Sequence, residues 1–227
     1  MIFITGTDTG AGKTVLTRLL LEFLRSQGIN ALAMKPVCTG SREDVSAIQR
    51  HQPRLLTDDE VNPFHYPLPA APLLSARSAR NKPTIKAVTD SINAIQKKCD
   101  VLLVEGAGGL LVPLTEKETW MQGIQKWNCQ ILIAAPNRLG VINHAALTVQ
   151  ALESAGIEKK CVILMDSRNE NHHGRVEREN GTILGKMLKK TPVCCLPNLG
   201  RVGVKTIKKA VEQKKIKKVL AEIIHLR

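Results

Sequence analysis

Ile2-Phe3-Ile4-Thr5-Gly6-Thr7-Asp8-Thr9-Gly10-Ala11-Gly12-Lys13-Thr14 is the stretch that decides the fold. Ile2, Phe3 and Ile4 read as a short buried strand. A glycine-containing turn follows, then Lys13-Thr14, then Val15-Leu16, Leu19-Leu20-Leu21 and Phe23-Leu24, closed by Gly28. That second half reads as a helix with a glycine just past its end. Strand, glycine turn, Gly-Lys-Thr and helix together describe a P-loop. Glycines let backbone N–H groups approach phosphate, and the helix N-terminus adds positive potential. The candidate phosphate-binding residues are therefore Gly10, Ala11, Gly12, Lys13, Thr14 and Val15. Lys13 is the mobile cation for the outer phosphates, and the Thr14 hydroxyl is a magnesium ligand. The spacing is a variant, because Thr7 holds the usual first glycine position and Gly6 lies one residue earlier.

Outward from this stretch the chain alternates strands and helices. Ala31 to Met34 reads as a second strand, ending at Lys35-Pro36, and Asp44 begins a short helix. Five prolines between residues 62 and 83 mark a long surface connection. Ile85, Val88, Ile92 and Ile95 follow helical spacing. Val101 to Val104, Ile131 to Ala135 and Cys161 to Met165 are continuous apolar runs, as expected for parallel strands covered on both faces. Leu139 to His144 leads into a helix that runs to Gly156, and Pro192 to Leu196 is a weaker strand. The expectation is a single α/β domain over residues 1–227, a doubly wound and mostly parallel sheet with helices on both faces. Ligands then belong at the carboxyl ends of the strands.

By that rule the informative residues follow the strands. Glu105 closes an apolar strand in the manner of a Walker-B acid, and Asp44 opens the helix after the second strand. A nucleotide-bound magnesium ion takes one or two protein carboxylates besides the Thr14 hydroxyl, so Thr14, Asp44 and Glu105 are the candidate metal ligands. Lys35, at a strand end beside the P-loop, is a second cation for a polyanionic intermediate. The six histidines show no metal-ligand spacing, and His172-His173 fall in a polar stretch.

The 227 residues are 43% apolar, enough for one substantial core. No run approaches the ~18 apolar residues of a membrane span. The P-loop begins at residue 6, which predicts no cleaved leader, and six cysteines without a Cys-x-x-Cys pair beside a nucleotide motif predict a reduced, cytoplasmic protein. Net charge is +13, and the last 27 residues carry nine lysines and arginines against Glu212 and Glu222. Ile207, Val211, Ile216, Val219-Leu220 and Ile223-Ile224 recur there at helical spacing. The reading is a basic amphipathic helix at about 203–225, packed on the core with a solvated face. Aromatics at 3% leave little stacking surface for single-stranded nucleic acid, and neither nucleic acid nor membrane is expected as a partner.

Taken together, the motifs resemble the dethiobiotin synthetases. The residues that carry this are Gly6-Thr7-Asp8-Thr9 with Gly12-Lys13-Thr14-Val15, Lys35-Pro36-Val37-Cys38-Thr39-Gly40, Val104-Glu105-Gly106-Ala107-Gly108-Gly109, and Leu139-Gly140 with Ile142-Asn143-His144. Asn62-Pro63-Phe64 and Ala71-Pro72 fit as well, and the clear resemblance covers about residues 1–150. It implies an ATP-dependent cyclo-ligase that adds carbon dioxide to an amine of 7,8-diaminononanoate, phosphorylates the carbamate and closes the ureido ring. Carried over by position, Thr9, Lys35 and Thr39 hold the diamine and carbamate, Lys13 spans the phosphates and the carbamate, and Gly108 lines the diamine site. Thr14, Asp44 and Glu105 keep magnesium. The helix start Leu139, Gly140, Val141, Ile142 and Asn143 grips the substrate carboxylate from the second subunit of a homodimer. Met165 stands in the place of the family's adenine-reading asparagine, and the neighbouring Pro197 and Asn198 are further candidates for contact with the nucleotide base.

The sequence departs from the family in three places. Gly10 stands where an acidic residue is frequent, Met165 replaces an asparagine that reads adenine, and no tyrosine matches one that reaches the partner's substrate. Three other readings stay open. An ATPase of the same fold that partitions chromosomes or positions division sites carries a second lysine near the P-loop start, where this chain has Asp8. An amide ligase acting on a corrinoid shares the fold. A nucleotide-responsive binding module would lack synthetase activity altogether.

Overall fold

In the computed structural model, residues 1–53, 55–166, 175–200 and 202–225 are described. The elements run β1 (Ile2–Gly6), α1 (Lys13–Ser26), β2 (Ala31–Met34), β3 (Val37–Thr39), α2 (Glu43–Gln49), α3 (Asp58–Val61), β4 (Phe64–Tyr66), α4 (Pro72–Ser75) and α5 (Ile85–Gln96). They continue with β5 (Val101–Gly109), α6 (Trp120–Ile124), β6 (Gln130–Pro136), α7 (Val141–Ser154), β7 (Lys160–Met165), α8 (Arg175–Met187), β8 (Val193–Leu196), α9 (Val204–Glu212) and α10 (Lys214–His225).

Six strands form one sheet in the order β2-β5-β1-β6-β7-β8, and every pairing in it is parallel. Parallel strands need crossovers, and helices supply them, so β1, β5 and β6 are covered on both faces and are buried almost end to end. β1 lies between β5 and β6, which brings Gly6, Glu105 and Ala134 to one edge of the sheet. A register irregularity between Ile4 and Gly6 pairs Gly6 with Gly109. A Cβ on Gly109 would stand 3.2 Å from the Gly6 carbonyl, so a side chain there would crowd the close approach of the two strand ends.

Helix starts follow local rules. The Thr84 hydroxyl accepts from the Ala87 amide at the head of α5, whose Ile85, Val88, Ile92 and Ile95 fill the core. Thr57 with Glu60 and Thr119 with Gln122 make capping boxes for α3 and α6. Beneath the P-loop, Phe3 packs against Trp120 and Trp127, with ring centroids 5.3 and 5.6 Å apart. At the β2 edge, the Ala33 amide donates to Gln52 Oε1 and the Ala33 carbonyl accepts from Gln52 Nε2, each at 2.8 Å.

Two expectations need correction. Residues 62–83 are more than a surface connection: β4 pairs in parallel with β3 as a separate two-stranded sheet, and α4 follows. Asn62, fully buried, donates to the carbonyls of Lys35 and Pro36 and ties this small sheet to the end of β2. The basic segment at about 203–225 is two helices, not one, with extended backbone at Gln213 (φ −66°, ψ 126°). Ile207, Val211, Ile216, Leu220 and Ile223 are buried as the amphipathic pattern requires, and α9 packs on α1. Lys205, Lys208, Lys209, Lys214, Lys215, Lys217 and Lys218 are exposed. His172-His173 lie outside the described residues.

Candidate functional site

A cleft of about 330 Å³ opens over the carboxyl ends of β1, β2 and β5. Thr9 to Val15, Lys35, Cys38, Thr39, Asp44, Glu105, Ala107 and Gly108 line it. Every residue the sequence assigned to phosphate, magnesium and the near side of the substrate therefore meets in one place. Gly10 to Gly12 and Val15 continue into a smaller hollow of about 150 Å³, walled by Pro136, Met165, Asp166, Pro197, Asn198 and Leu199. A larger cavity, about 770 Å³, lies between α4 and residues 113–118 and shares no residue with the P-loop.

The P-loop has the conformation its glycines permit. Gly10 and Gly12 have φ of 72° and 92°, which side chains rarely adopt. A Cβ on Gly12 would also stand 3.0 Å from Met165 Cγ, so Met165 packs directly over the loop. Lys13 Nζ donates to the Asp8 carbonyl at 2.9 Å, and the Thr9 amide donates to Asp8 Oδ1 at 2.6 Å. Asp8 thus shapes the loop through its own carbonyl and carboxylate.

Glu105 is fully buried and accepts hydrogen bonds from α1 and from the residue that follows β2. Oε1 accepts from the Thr14 hydroxyl at 2.8 Å and from Lys35 Nζ at 2.9 Å, and Oε2 accepts from the Thr17 hydroxyl at 2.9 Å. Lys35 Nζ also pairs with Asp44 Oδ2. Two ammoniums, Lys13 and Lys35, stand among two carboxylates, Asp44 and Glu105, so the four charges cancel. Burial lowers the Lys13 ammonium from its ordinary value, with Glu105 opposing and Lys35 adding to the shift. Burial also acts to lower Lys35, but Glu105 and Asp44 outweigh it and hold its ammonium above the ordinary value. Burial acts to raise Asp44, and Lys35 overrides it, leaving that carboxyl below its usual range.

Thr17 was not legible as a site residue, since a mid-helix threonine carries no motif. Only its 88-residue separation from Glu105, closed by the fold, reveals it. Cys38 and Ala107, which lie within the quoted motifs but were given no role by name, also line the cleft.

The helix start Leu139 to Asn143 is not brought to this cleft within the chain. Leu139 is 87% exposed, and Gly140, with φ 94°, opens α7 without a side-chain cap. At the base end, Asp166 Oδ1 accepts from Asn137 Nδ2 at 2.6 Å, and Asn137 Oδ1 accepts from Asn180 Nδ2 at 2.9 Å. Asn198 Oδ1 is engaged by the Gly200 amide at 2.7 Å, closing its own turn.

Thr14, Asp44 and Glu105 are hard oxygen donors gathered around one point, which suits magnesium completed by nucleotide phosphates and water. Among the described residues no group of three His, Cys, Asp or Glu is placed to hold a metal by itself.

Comparison with known proteins bears on this geometry. A family model described as an AAA domain matches residues 1–206. An ATP-dependent dethiobiotin synthetase of Anaeromyxobacter sp. is 36% identical over 167 residues, covering 72% of this chain and 75% of its own. One of Methanocaldococcus jannaschii is 37% identical over 171 residues, covering 72% and 78%. Another, of Anaeromyxobacter dehalogenans, is 30% identical over 200 residues, covering 86% and 89%. Among solved structures, the MinD cell division protein of Aquifex aeolicus matches with TM-score 0.60 at 16% identity, over 99% of this chain and 95% of that one. The pNOB8 ParA protein bound to nonspecific DNA matches with TM-score 0.58 at 11% identity, over 99% and 97%. At such identities these two structures report the fold alone.

Proposed function

The chain belongs to the ATP-dependent dethiobiotin synthetase family, and from that premise we propose that its P-loop cleft forms dethiobiotin from 7,8-diaminononanoate, carbon dioxide and ATP. The observation that carries this reading is the continuity of the cleft. Phosphate-binding residues Gly10 to Thr14 and the residues matched to the diamine, Thr9, Lys35, Thr39 and Gly108, share one wall-to-wall space.

The chemistry follows from what these side chains can do. One amine of the diamine takes up carbon dioxide and loses a proton, giving a carbamate. A carbamate oxygen attacks the terminal phosphorus of ATP, ADP departs, and the second amine then attacks the carbamoyl carbon, gives up a proton, and breaks the C–O bond to expel phosphate and close the ring. Carbamate and triphosphate are both anions, so their approach is opposed by charge. Lys13 and Lys35 offset that repulsion from either side of the reacting oxygens. The amides of residues 10–15 and the α1 N-terminus hold the phosphates. The hydroxyls of Thr9 and Thr39 orient the diamine. Thr14, Asp44 and Glu105 would hold magnesium, which supplies further charge neutralisation when bound. No protein nucleophile is required.

We also infer a homodimer in the cytoplasm. The exposed Leu139 and Leu147 leave apolar surface around the start and outer face of α7, which suits a subunit contact that lends Leu139 to Asn143 to a neighbour's cleft. Among the described residues no helix is long and apolar enough to cross a membrane.

The test is direct. Purified protein with 7,8-diaminononanoate, bicarbonate and ATP should yield dethiobiotin by mass spectrometry, with one ADP per product. ATP hydrolysis indifferent to the diamine, or stimulated by DNA, would reject the reading.

A further inference from the structure

Lys35 occupies a position that its role beside the substrate does not require. Its ammonium is bonded to Asp44 Oδ2 and Glu105 Oε1, two of the oxygens suited to a divalent ion, and Oε1 also takes the third member of that set, the Thr14 hydroxyl. A magnesium ion sits about 2.0–2.1 Å from each oxygen it binds. A cation drawn to the same two carboxylates meets the repulsion of an ammonium already 2.9 Å from one of them and paired with the other. The two positive charges therefore compete for the same oxygens. Meanwhile the lysine backbone is pinned: its amide donates to the Val61 carbonyl at 2.9 Å, and its carbonyl accepts from Asn62 at 2.9 Å. Only the four-carbon side chain can yield.

We propose that Lys35 is an exchangeable counter-ion: it holds Asp44 and Glu105 until the metal-bound nucleotide arrives, and is thereby released toward the second substrate. This deepens the reading of the site given above and rests on it for the identity of that substrate. The exchange conserves the electrostatic balance of a fully buried carboxylate, since Glu105 always has a cation against it. It also orders the reaction. The cation that must neutralise the carbamate becomes available when metal and nucleotide are in place, which withholds it from an unproductive encounter with the diamine alone. Lys35 is here a positioning residue in one state and touches substrate in the other.

The test uses metal binding to the nucleotide-free protein, with Mn²⁺ as the probe and its free concentration read by electron paramagnetic resonance. Lys35→Met and Lys35→Gln should both bind Mn²⁺ at least about tenfold more tightly than wild type, because the competing charge is gone. Equal or weaker binding in a folded variant would overturn the proposal. Since loss of Lys35 leaves a buried carboxylate without its partner, a second measurement needs no variant. Mg²⁺ together with a non-hydrolysable ATP analogue should accelerate acylation of the Lys35 amine in the wild-type protein relative to the analogue without metal, followed by peptide mass spectrometry, and an unchanged or slower rate would overturn the exchange. Neither readout depends on dethiobiotin formation, so failure here and failure of the proposed reaction are separable.

Discussion

Lys35 Nζ and the Thr14 hydroxyl converge on a single oxygen, Oε1 of Glu105, from 2.9 and 2.8 Å. Lys35 follows β2, Thr14 lies in the first turn of α1, and Glu105 sits midway along β5, which runs on to Gly109 instead of closing at the acid. The two pairs are separated by 70 and 91 positions in the sequence. One buried carboxylate thus ties the P-loop helix to the lysine on the far wall of the cleft.

Lys13→Ala and Lys35→Ala should each lower turnover by roughly two to three orders of magnitude, the usual consequence of removing one donor aimed at developing charge. Steady-state kinetics with the diamine, bicarbonate and ATP checks this. Wild-type turnover in Lys35→Ala would remove it from the reaction.

Glu105→Gln and Asp44→Asn should raise the magnesium concentration needed for half-maximal activity, because each deletes a ligand charge while keeping the shape. Asp44, half-buried at the cleft rim, should do so with little change in Tm. Glu105→Gln should also lower Tm, since it leaves Lys35 with one carboxylate in a buried setting. A magnesium titration beside a thermal melt separates the two effects, and an unchanged magnesium curve for Glu105→Gln would make that residue purely structural.

Nucleotide choice should be permissive. The P-loop amides and Lys13 read phosphates that every nucleoside triphosphate carries. At the base end Met165 offers a thioether over Gly12, and the Asn198 amide oxygen is already taken by Gly200. A missing bidentate pair forfeits about 1–3 kcal/mol of discrimination. ATP, GTP, CTP and ITP should therefore differ in kcat/KM by no more than about tenfold, and an ATP preference above about a hundredfold would show that adenine is read by another group.

Stability should fall with acid through His51. Its Nε2 accepts from Arg18 Nε at 3.2 Å and its Nδ1 faces Glu22 Oε2 at 2.8 Å, while Arg18 and Lys208 stand near. Burial, reinforced by Arg18, lowers its pKa in spite of Glu22. The unfolded chain then takes the proton first. The contribution is complete above the ordinary histidine value of 6.5, declines as pH falls through it, and levels off below the folded value. Melting His51→Gln and wild type between about pH 7.5 and about pH 5 should show a smaller loss of Tm in the variant. An equal loss would assign the acid sensitivity elsewhere.

The lysine-rich tail should be dispensable for catalysis. Reversing Lys208, Lys209, Lys214 and Lys215 changes exposed side chains and leaves the buried face of α9 and α10 intact. Synthesis should persist, and any DNA binding by wild type should be weak and lost in moderate salt. Tight, sequence-specific binding at physiological salt would contradict this.

What could be read from the sequence was set by how locally each feature is encoded. Parallel strands buried on both faces appear as unbroken apolar runs, so β5, β6 and β7 were legible, and the residues just past them marked the site. β3 and β4 are three residues each and exist because they pair with one another and are tied down by Asn62, a contact spanning 27 positions to Lys35. Nothing in either segment alone announces that. The break at Gln213 is equally silent, since no glycine or proline interrupts residues 204–225 and the apolar period continues across it. Glu105, Lys35 and Asp44 were found from position, whereas Thr17 needed the fold to place it against Glu105.

Gln52 gives the chain a property unrelated to catalysis. By offering one donor and one acceptor to Ala33, its side chain acts as a one-residue strand along the margin of the sheet. An open parallel edge of this kind is a template on which another chain can add. With Gln52 fully buried over it, the margin presents amide-satisfied backbone beneath a covering loop. A single carboxamide thus closes this stretch of the margin, and Gln52→Ala would leave the Ala33 amide and carbonyl without their partners, reopening a pairing site far from any step of the chemistry.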